Sequence, residues 1–186
     1  REAAERLSAE VMAILPELGL GGGRFEVALT PYEQIRAEGG EAVEFRVALN
    51  VGFEPRPLAR VASGGELSRI MLALKTILAR LDRVPTLVFD EIDTGIGGRV
   101  AVQVAEKLRR VAEHHQVFVI THLGQIASRA DHHLLVEKVD RDGSTFTRVT
   151  ELDAEARVRE LARMLGGDPE SAASLEHARE LLGVAG

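Results

Sequence analysis

The sequence predicts an α/β fold: a largely parallel sheet flanked by helices, preceded by an antiparallel β-hairpin and an N-terminal helix. Three patterns carry that expectation. From Ser63 onward, short apolar runs of strand length alternate with helical stripes, the rhythm of a parallel sheet covered by helices. Ahead of them, Phe25, Val27 and Leu29, then Val43, Phe45, Val47 and Leu49, alternate with polar residues, as half-buried antiparallel strands do. At the start, Ala4, Leu7, Val11, Ile14, Leu15 and Leu18 recur at helical spacing, which predicts a helix over 3–18.

The first helix ends at Gly19 and Gly21-Gly22-Gly23, where glycines stop helical periodicity. A helix already under way at the first residue implies that the chain was separated from something longer. Two roles stay open for it, the end of a coiled-coil arm and an amphipathic capping helix. The two alternating strands are joined through a Gly39-Gly40 turn region, and Asn50-Val51-Gly52 with Pro55 and Pro57 ends the hairpin. The next helix carries Leu67, Ile70, Met71, Leu74, Ile77, Leu78 and Leu81 on one stripe. Residues 84–89 and 117–120 read as buried strands on either side of a helix over 99–113. A helix over 125–130 and a strand over 133–138 continue the alternation. After a polar turn at 140–144, residues 145–149 read as an edge strand, and helices over 154–165 and 171–182 close the chain.

Bulk properties narrow the partners. The 186 residues with 45% hydrophobic content suffice for a real core. No apolar stretch approaches the roughly 20 residues that cross a bilayer, so a soluble protein with no membrane partner is expected. The absence of cysteine excludes disulfides and thiolate metal sites and fits the cytoplasm. A net charge of -6 and 4% aromatic residues argue against wrapping nucleic acid or stacking bases over a large surface.

Three segments carry chemistry. Ser63-Gly64-Gly65-Glu66 stands where a loop becomes a long helix; paired glycines admit a close ligand, and the helix start offers unpaired N–H groups to an anion. The plain alternative is a capping box, Ser63 with Glu66 three residues on. Thr86-Leu87-Val88-Phe89-Asp90-Glu91 is an apolar strand ending in two acids. One could hold a magnesium-bound water while the other orients a nucleophilic water; solvated turn chemistry is the alternative. Val117-Phe118-Val119-Ile120-Thr121-His122 is a second apolar strand with a polar tip, where a histidine can donate to a phosphate oxygen or position water, or be merely exposed. His114-His115 and His132-His133 lack acid ligands at metal spacing and read as surface histidines. Arg60, Arg109 and Arg110 read as solvated faces.

In this order the three segments resemble the ABC ATPase core: signature motif, Walker B and H-loop. The fold expected is then the C-terminal half of an ABC-type ATPase head. The resemblance implies that Ser63, Gly64, Gly65 and Glu66 cap the γ-phosphate of ATP held by an opposing head. It makes Asp90 the magnesium-shell acid, acting through water, Glu91 the catalytic glutamate and His122 the switch histidine. Ala62 and Glu66 stand where transporters often have Leu and Gln. Six residues after Glu91, where most ABC heads have an Asp, this sequence has Gly97; the stretch Gly95-Ile96-Gly97-Gly98 predicts a permissive loop instead.

Surrounding residues narrow the resemblance. Val61-Ala62-Ser63-Gly64-Gly65-Glu66-Leu67-Ser68-Arg69, Phe89-Asp90-Glu91-Ile92-Asp93-Thr94-Gly95-Ile96-Gly97-Gly98, Thr121-His122-Leu123-Gly124-Gln125-Ile126-Ala127 and Glu160-Leu161-Ala162-Arg163-Met164-Leu165-Gly166-Gly167 resemble the C-terminal part of the RecN family of bacterial DNA repair proteins, SMC-like relatives of the ABC ATPases. Residues 1–18 would then be the end of a coiled-coil arm or a capping helix, and 19–186 the C-terminal lobe of the head. The likeness implies double-strand-break repair and recombination, ATP and Mg2+ as cofactors, DNA, an N-terminal P-loop half and a second head as partners, and a cytoplasmic, nucleoid-associated location. No G-x-x-x-x-G-K-[ST] string occurs in the sequence, so this chain alone is expected not to hydrolyse ATP. The rivals are a fragment of an ABC transporter's nucleotide-binding subunit and a non-hydrolytic structural clamp.

Overall fold

A computed structural model describes residues 1–37, 39–61, 63–141 and 143–183. Ala62, noted above against the transporter pattern, and residue 142 of the expected polar turn lie outside the described residues. The chain divides into two compact units, Arg1–Thr121 and His122–Gly186.

In the first unit, helix α1 (Glu2–Ile14) continues as a 3-10 turn (Leu15–Leu18) that begins at the residue before Pro16. Proline lacks an N–H and is tolerated only in a first turn, so the expected single helix over 3–18 becomes two pieces. Gly19 closes them in the left-handed conformation, φ 74°. Val11, Leu15 and Leu18 are fully buried, so this end of the chain is part of the core. Strands β1 (Arg24–Arg36) and β2 (Gly39–Ala48) form the expected antiparallel hairpin, with Phe25 opposite Val47 and Val27 opposite Phe45. Gly39 and Gly40, expected in the turn, instead open β2. A short β3 (Arg56–Pro57) adds to β2; its proline sits at the sheet's edge, where a missing donor does no harm.

Helix α2 (Gly64–Leu78) buries Ile70, Leu72, Ala73 and Leu74, and helix α3 (Gly98–Ala112) buries Ala101, Val104, Ala105, Leu108 and Val111. The two pack on each other and on the 3-10 turn. β4 (Thr86–Phe89) precedes α3 and β5 (Gln116–Val119) follows it, and the two strands pair in parallel with Val88 opposite Phe118. Parallel strands require a helical crossover, here α3. One face of this pair is open: Val88 is 65% exposed, Phe118 44% and Ile120 59%.

His115 is not the surface residue expected. It is 7% exposed, with Nδ1 2.7 Å from the carbonyl oxygen of Val84 and Nε2 3.1 Å from that of Ala79. It thereby ties the end of α2 to the approach of β4, in company with the Lys75–Asp82 ion pair, in which the Lys75 hydrogen bond and the Val84 N–H hold the Asp82 carboxyl below its ordinary value.

The second unit holds a one-turn helix α4 (Gly124–Ala127), strands β6 (Leu134–Arg141) and β7 (Ser144–Glu151), and helices α5 (Ala154–Met164) and α6 (Ala172–Leu182). Its core is Ala127, Val158, Leu161, Ala162 and Ala178. The mixed α/β class stands, but the parallel part is narrower than expected. The strand expected over 133–138 pairs antiparallel with β7, its near neighbour in sequence, and Gly143, at φ 77°, serves the turn. Its side chains alternate between exposed and half-buried, the signature of a sheet with one wet face rather than a buried parallel strand.

Arg157 of α5 caps α4, donating to the carbonyl oxygens of Ala127, Ser128, Ala130 and Asp131. Beside it, burial and then the Arg157 charge push the half-buried His133 below its ordinary value of 6.5. The neutral imidazole is thus the folded form, and the unfolded chain takes up a proton first as pH falls. Stability is full above about pH 6.5 and declines below it. Thermal melting between pH 7.5 and 5.5 should show that decline, and His133→Gln should flatten it.

Candidate functional site

The predicted groups of the first unit converge. Ser63 is the N-cap of α2: its Oγ accepts from the Glu66 N–H at 3.4 Å, a long cap bond that leaves the hydroxyl hydrogen to donate elsewhere. Gly64 and Gly65 are the first helical residues, and Gly65 is buried. Asp90 follows β4 directly and is exposed; its Oδ1 accepts from the Glu91 N–H at 2.9 Å.

The glycines were expected to admit a ligand; in the structure they admit the protein's own loop. A β-carbon on Gly65 would lie 2.8 Å from the Glu91 carbonyl oxygen and 2.9 Å from Thr94 Cβ, and one on Gly64 would overlap the Glu91 carboxylate. So the helix start and the acid pair of one chain are neighbours. Glu91 has φ 56°, the left-handed region that a residue with a β-carbon enters only under constraint.

That constraint comes from α2. Ser68 Oγ donates to the Asp90 carbonyl oxygen at 2.7 Å, and Arg69 Nη1 donates to those of Ile92 and Thr94 at 3.2 and 2.8 Å. Arg69 is 5% exposed; burial lowers its pKa, opposed by the Glu66 and Asp93 carboxylates. From the other side, Thr121 Oγ1 donates to Asp93 Oδ2 at 2.6 Å, and Asp93 is 4% exposed. Hydrogen bonds to a buried charge contribute about 1.5–3 kcal/mol. Thr121→Val should cost that much in urea unfolding.

Arg69 has no signal in the sequence beyond its place inside a quoted motif, and Asp93 only lies near the position, here Gly97, where most ABC heads have an Asp, without being equivalent to it. The permissive loop did form as expected, with Gly95 at φ 74° and Gly98 at φ 51°; Gly97 is extended at φ -174° and is the N-cap of α3.

His122 is exposed and opens the second unit. Hollows lined by Arg1, Ala4, Ser8, Val27 and Leu29 in one unit and by Leu135, Leu152, Ala156 and Pro169 in the other contain none of the predicted site residues. Among the described residues, no three His, Cys, Asp or Glu side chains group to hold a metal. Among the described residues, no helix is long and apolar enough to cross a membrane.

The DNA repair protein RecN of Treponema pallidum is 48% identical over 185 residues, 96% of this chain and 32% of the relative. RecN of Deinococcus radiodurans is 50% identical over 179 residues, 96% of this chain and 31% of the relative. Over nearly its whole length the chain is similar to RecN proteins. It corresponds to the C-terminal part of RecN proteins and spans about a third of their length. No family model matches it.

Solved structures share the fold of this chain. The Smc head domain of Pyrococcus yayanosii, with a coiled coil and joint, is 24% identical with a TM-score of 0.56, over 86% of this chain and 29% of that one. A chain from work on ATP-driven dimerization and DNA-stimulated activation of SMC ATPases is 22% identical with a TM-score of 0.51, over 88% of this chain and 94% of that one. The fold is thus shared with part of SMC head domains, in line with the half of an ABC-type head expected from the motif order.

Proposed function

We propose that this chain is the C-terminal lobe of an ATP-hydrolysing head in a RecN-type protein of DNA double-strand-break repair and recombination. The observation that carries it is the pairing of two features: a Ser-Gly-Gly helix start and an acid pair at the tip of a parallel strand, clasped together. The relatives' description as DNA repair proteins supports the process. The SMC neighbour's ATP-driven dimerization and DNA stimulation support head pairing, with DNA acting through the whole protein in the cytoplasm at the nucleoid.

Two other elements are needed. The open apolar face of β4 and β5 is what a parallel sheet covers with further chain, and an N-terminal half bearing the P-loop is the occupant that fits. The helix start needs a second head. There Ser63 Oγ–H and the Gly64 and Gly65 N–H groups donate to the γ-phosphate of ATP, at the positive end of the α2 dipole, with Glu66 in the same loop. α1 would be the end of the coiled-coil arm entering this lobe.

Hydrolysis forms a bond from water oxygen to the γ-phosphorus and breaks the bond to the β–γ bridging oxygen. Magnesium, when bound, neutralises phosphate charge. Asp90, through water, is the residue that would hold it; Glu91 accepts the proton of the attacking water, and His122 donates to a γ-phosphate oxygen. Cleavage removes the ligand joining the two heads, so they separate and DNA is held differently.

Phosphate release by this chain alone, then with its N-terminal half supplied, tests the proposal. Silence followed by restored, DNA-responsive turnover is the expected result. Turnover by the isolated chain, or silence of the reassembled protein, overturns it.

A further inference from the structure

We propose that Ser68 and Arg69 are positioning residues: they lock the 63–66 helix start to the 90–94 segment, so that docking of that helix start on ATP sets the geometry of Glu91. The part concerning ATP rests on the head function proposed above; the clasp itself rests on geometry alone.

Glu91 is the only residue other than glycine with positive φ among the described residues, at 56°. A backbone in that region persists where its surroundings over-determine it. Here the peptide group before Glu91, and the one that follows Ile92, are pinned from α2. The Asp90 carbonyl oxygen accepts from Ser68 Oγ at 2.7 Å, and the Ile92 carbonyl oxygen accepts from Arg69 Nη1 at 3.2 Å. The same Nη1 reaches the Thr94 carbonyl oxygen at 2.8 Å, and the Thr94 N–H returns to the Glu91 carbonyl oxygen at 3.0 Å.

Packing closes what the hydrogen bonds define. Gly65 meets the Glu91 carbonyl oxygen and Thr94 too closely to allow a β-carbon, and Arg69 is held in place at 5% exposure, flanked by the Glu66 and Asp93 carboxylates. Thr121 anchors Asp93 from the β5 side. The first turn of α2 therefore cannot rotate or shift without carrying Glu91 with it. In a pair of heads the helix start serves the partner's ATP and Glu91 its own, so the clasp links the two sites within each head. Gly97 stands where most ABC heads place a communicating aspartate, and the clasp supplies a connection built from residues that are present.

The test uses the full-length protein with Ser68→Ala, Arg69→Lys and Arg69→Gln, measuring steady-state ATP turnover, ATP-driven head pairing by sedimentation, and melting temperature. Because misplacing a catalytic group lowers rate without abolishing binding, turnover should fall about threefold in Ser68→Ala and at least about tenfold in Arg69→Gln, with Arg69→Lys between them. Head pairing should stay within about twofold of wild type, since the phosphate-binding N–H groups of the helix start are untouched. A merely structural role would lower pairing in step with turnover, and that result overturns the proposal, as does wild-type turnover in both Ser68→Ala and Arg69→Lys. These two variants carry the test if Arg69→Gln does not fold. Glu91→Gln, run alongside, separates the failures: normal turnover there removes the ATPase reading, whereas a dead Glu91→Gln with wild-type Ser68→Ala and Arg69→Lys removes only the clasp.

Discussion

On the proposed function, full-length protein carrying Glu91→Gln should bind ATP, pair its heads and stay paired, while turnover should fall about 10²–10⁴-fold, the contribution of a positioned general base. The substitution keeps size and shape, so the left-handed backbone at residue 91 and its contact with Gly64 are retained. On the proposed function, what it removes is the carboxylate that takes the proton of the attacking water. Phosphate release and sedimentation with ATP check both halves of the result. Loss of turnover together with loss of ATP-driven pairing points to a damaged lobe instead, and normal turnover removes Glu91 from the chemistry.

Gly65→Ala has the second large effect, because its methyl group would meet atoms that cannot yield. The Glu91 carbonyl oxygen at 2.8 Å is backbone, Thr94 Cβ at 2.9 Å belongs to the clasped loop, and Arg69 Nη1 at 3.2 Å is already committed to two carbonyl oxygens. Overpacking of this kind costs about 1–3 kcal/mol. The loop must also shift, and a misplacement of about 1 Å can cost on the order of 10²-fold in rate. Urea unfolding of the chain and turnover of the full-length protein should therefore both suffer. Gly64→Ala is the instructive neighbour: its methyl meets the carboxylate end of Glu91, a flexible side chain, so stability should change less while the carboxylate is displaced. Wild-type stability and turnover in Gly65→Ala would contradict the packing described.

Much of the architecture was legible because it is local. The α2 stripe, the β1–β2 alternation and the glycines after the first helical segment each express a period or a turn over a few residues, and most elements appear within a few residues of their expected limits, although β1 runs seven residues past Leu29. The motifs were legible for the same reason, as glycines and acids in short strings. The remainder depends on distant partners. Leu134, Leu135 and Val136 form an apolar run that fits a parallel or an antiparallel strand equally, and only pairing with β7 decides it. His115 became a core residue through the carbonyl oxygens of Ala79 and Val84, more than thirty residues earlier. Arg69 carries no mark of burial in the sequence; its burial goes with the carbonyl oxygens of Ile92 and Thr94, more than twenty residues later. Positive φ at Glu91 has no sequence mark at all, since no glycine signals it.

The structure brings the Ser63 helix start and the Asp90–Glu91 tip together in one chain, which makes it important whether they serve one ATP or two. Mixing two full-length variants decides this, Ser63→Arg, which spoils the helix start, and Glu91→Gln, each inactive alone. If the groups act on different ATP molecules across a pair of heads, a mixed pair keeps one whole site. Random pairing makes half the two-fold dimers mixed, each with one of two sites intact, so the mixture should regain about a quarter of wild-type turnover. Mixtures of wild type with Glu91→Gln give the rate of a single intact site for comparison. A Ser63→Arg and Glu91→Gln mixture that stays as silent as its components, while that comparison shows single-site turnover, would contradict the composite site.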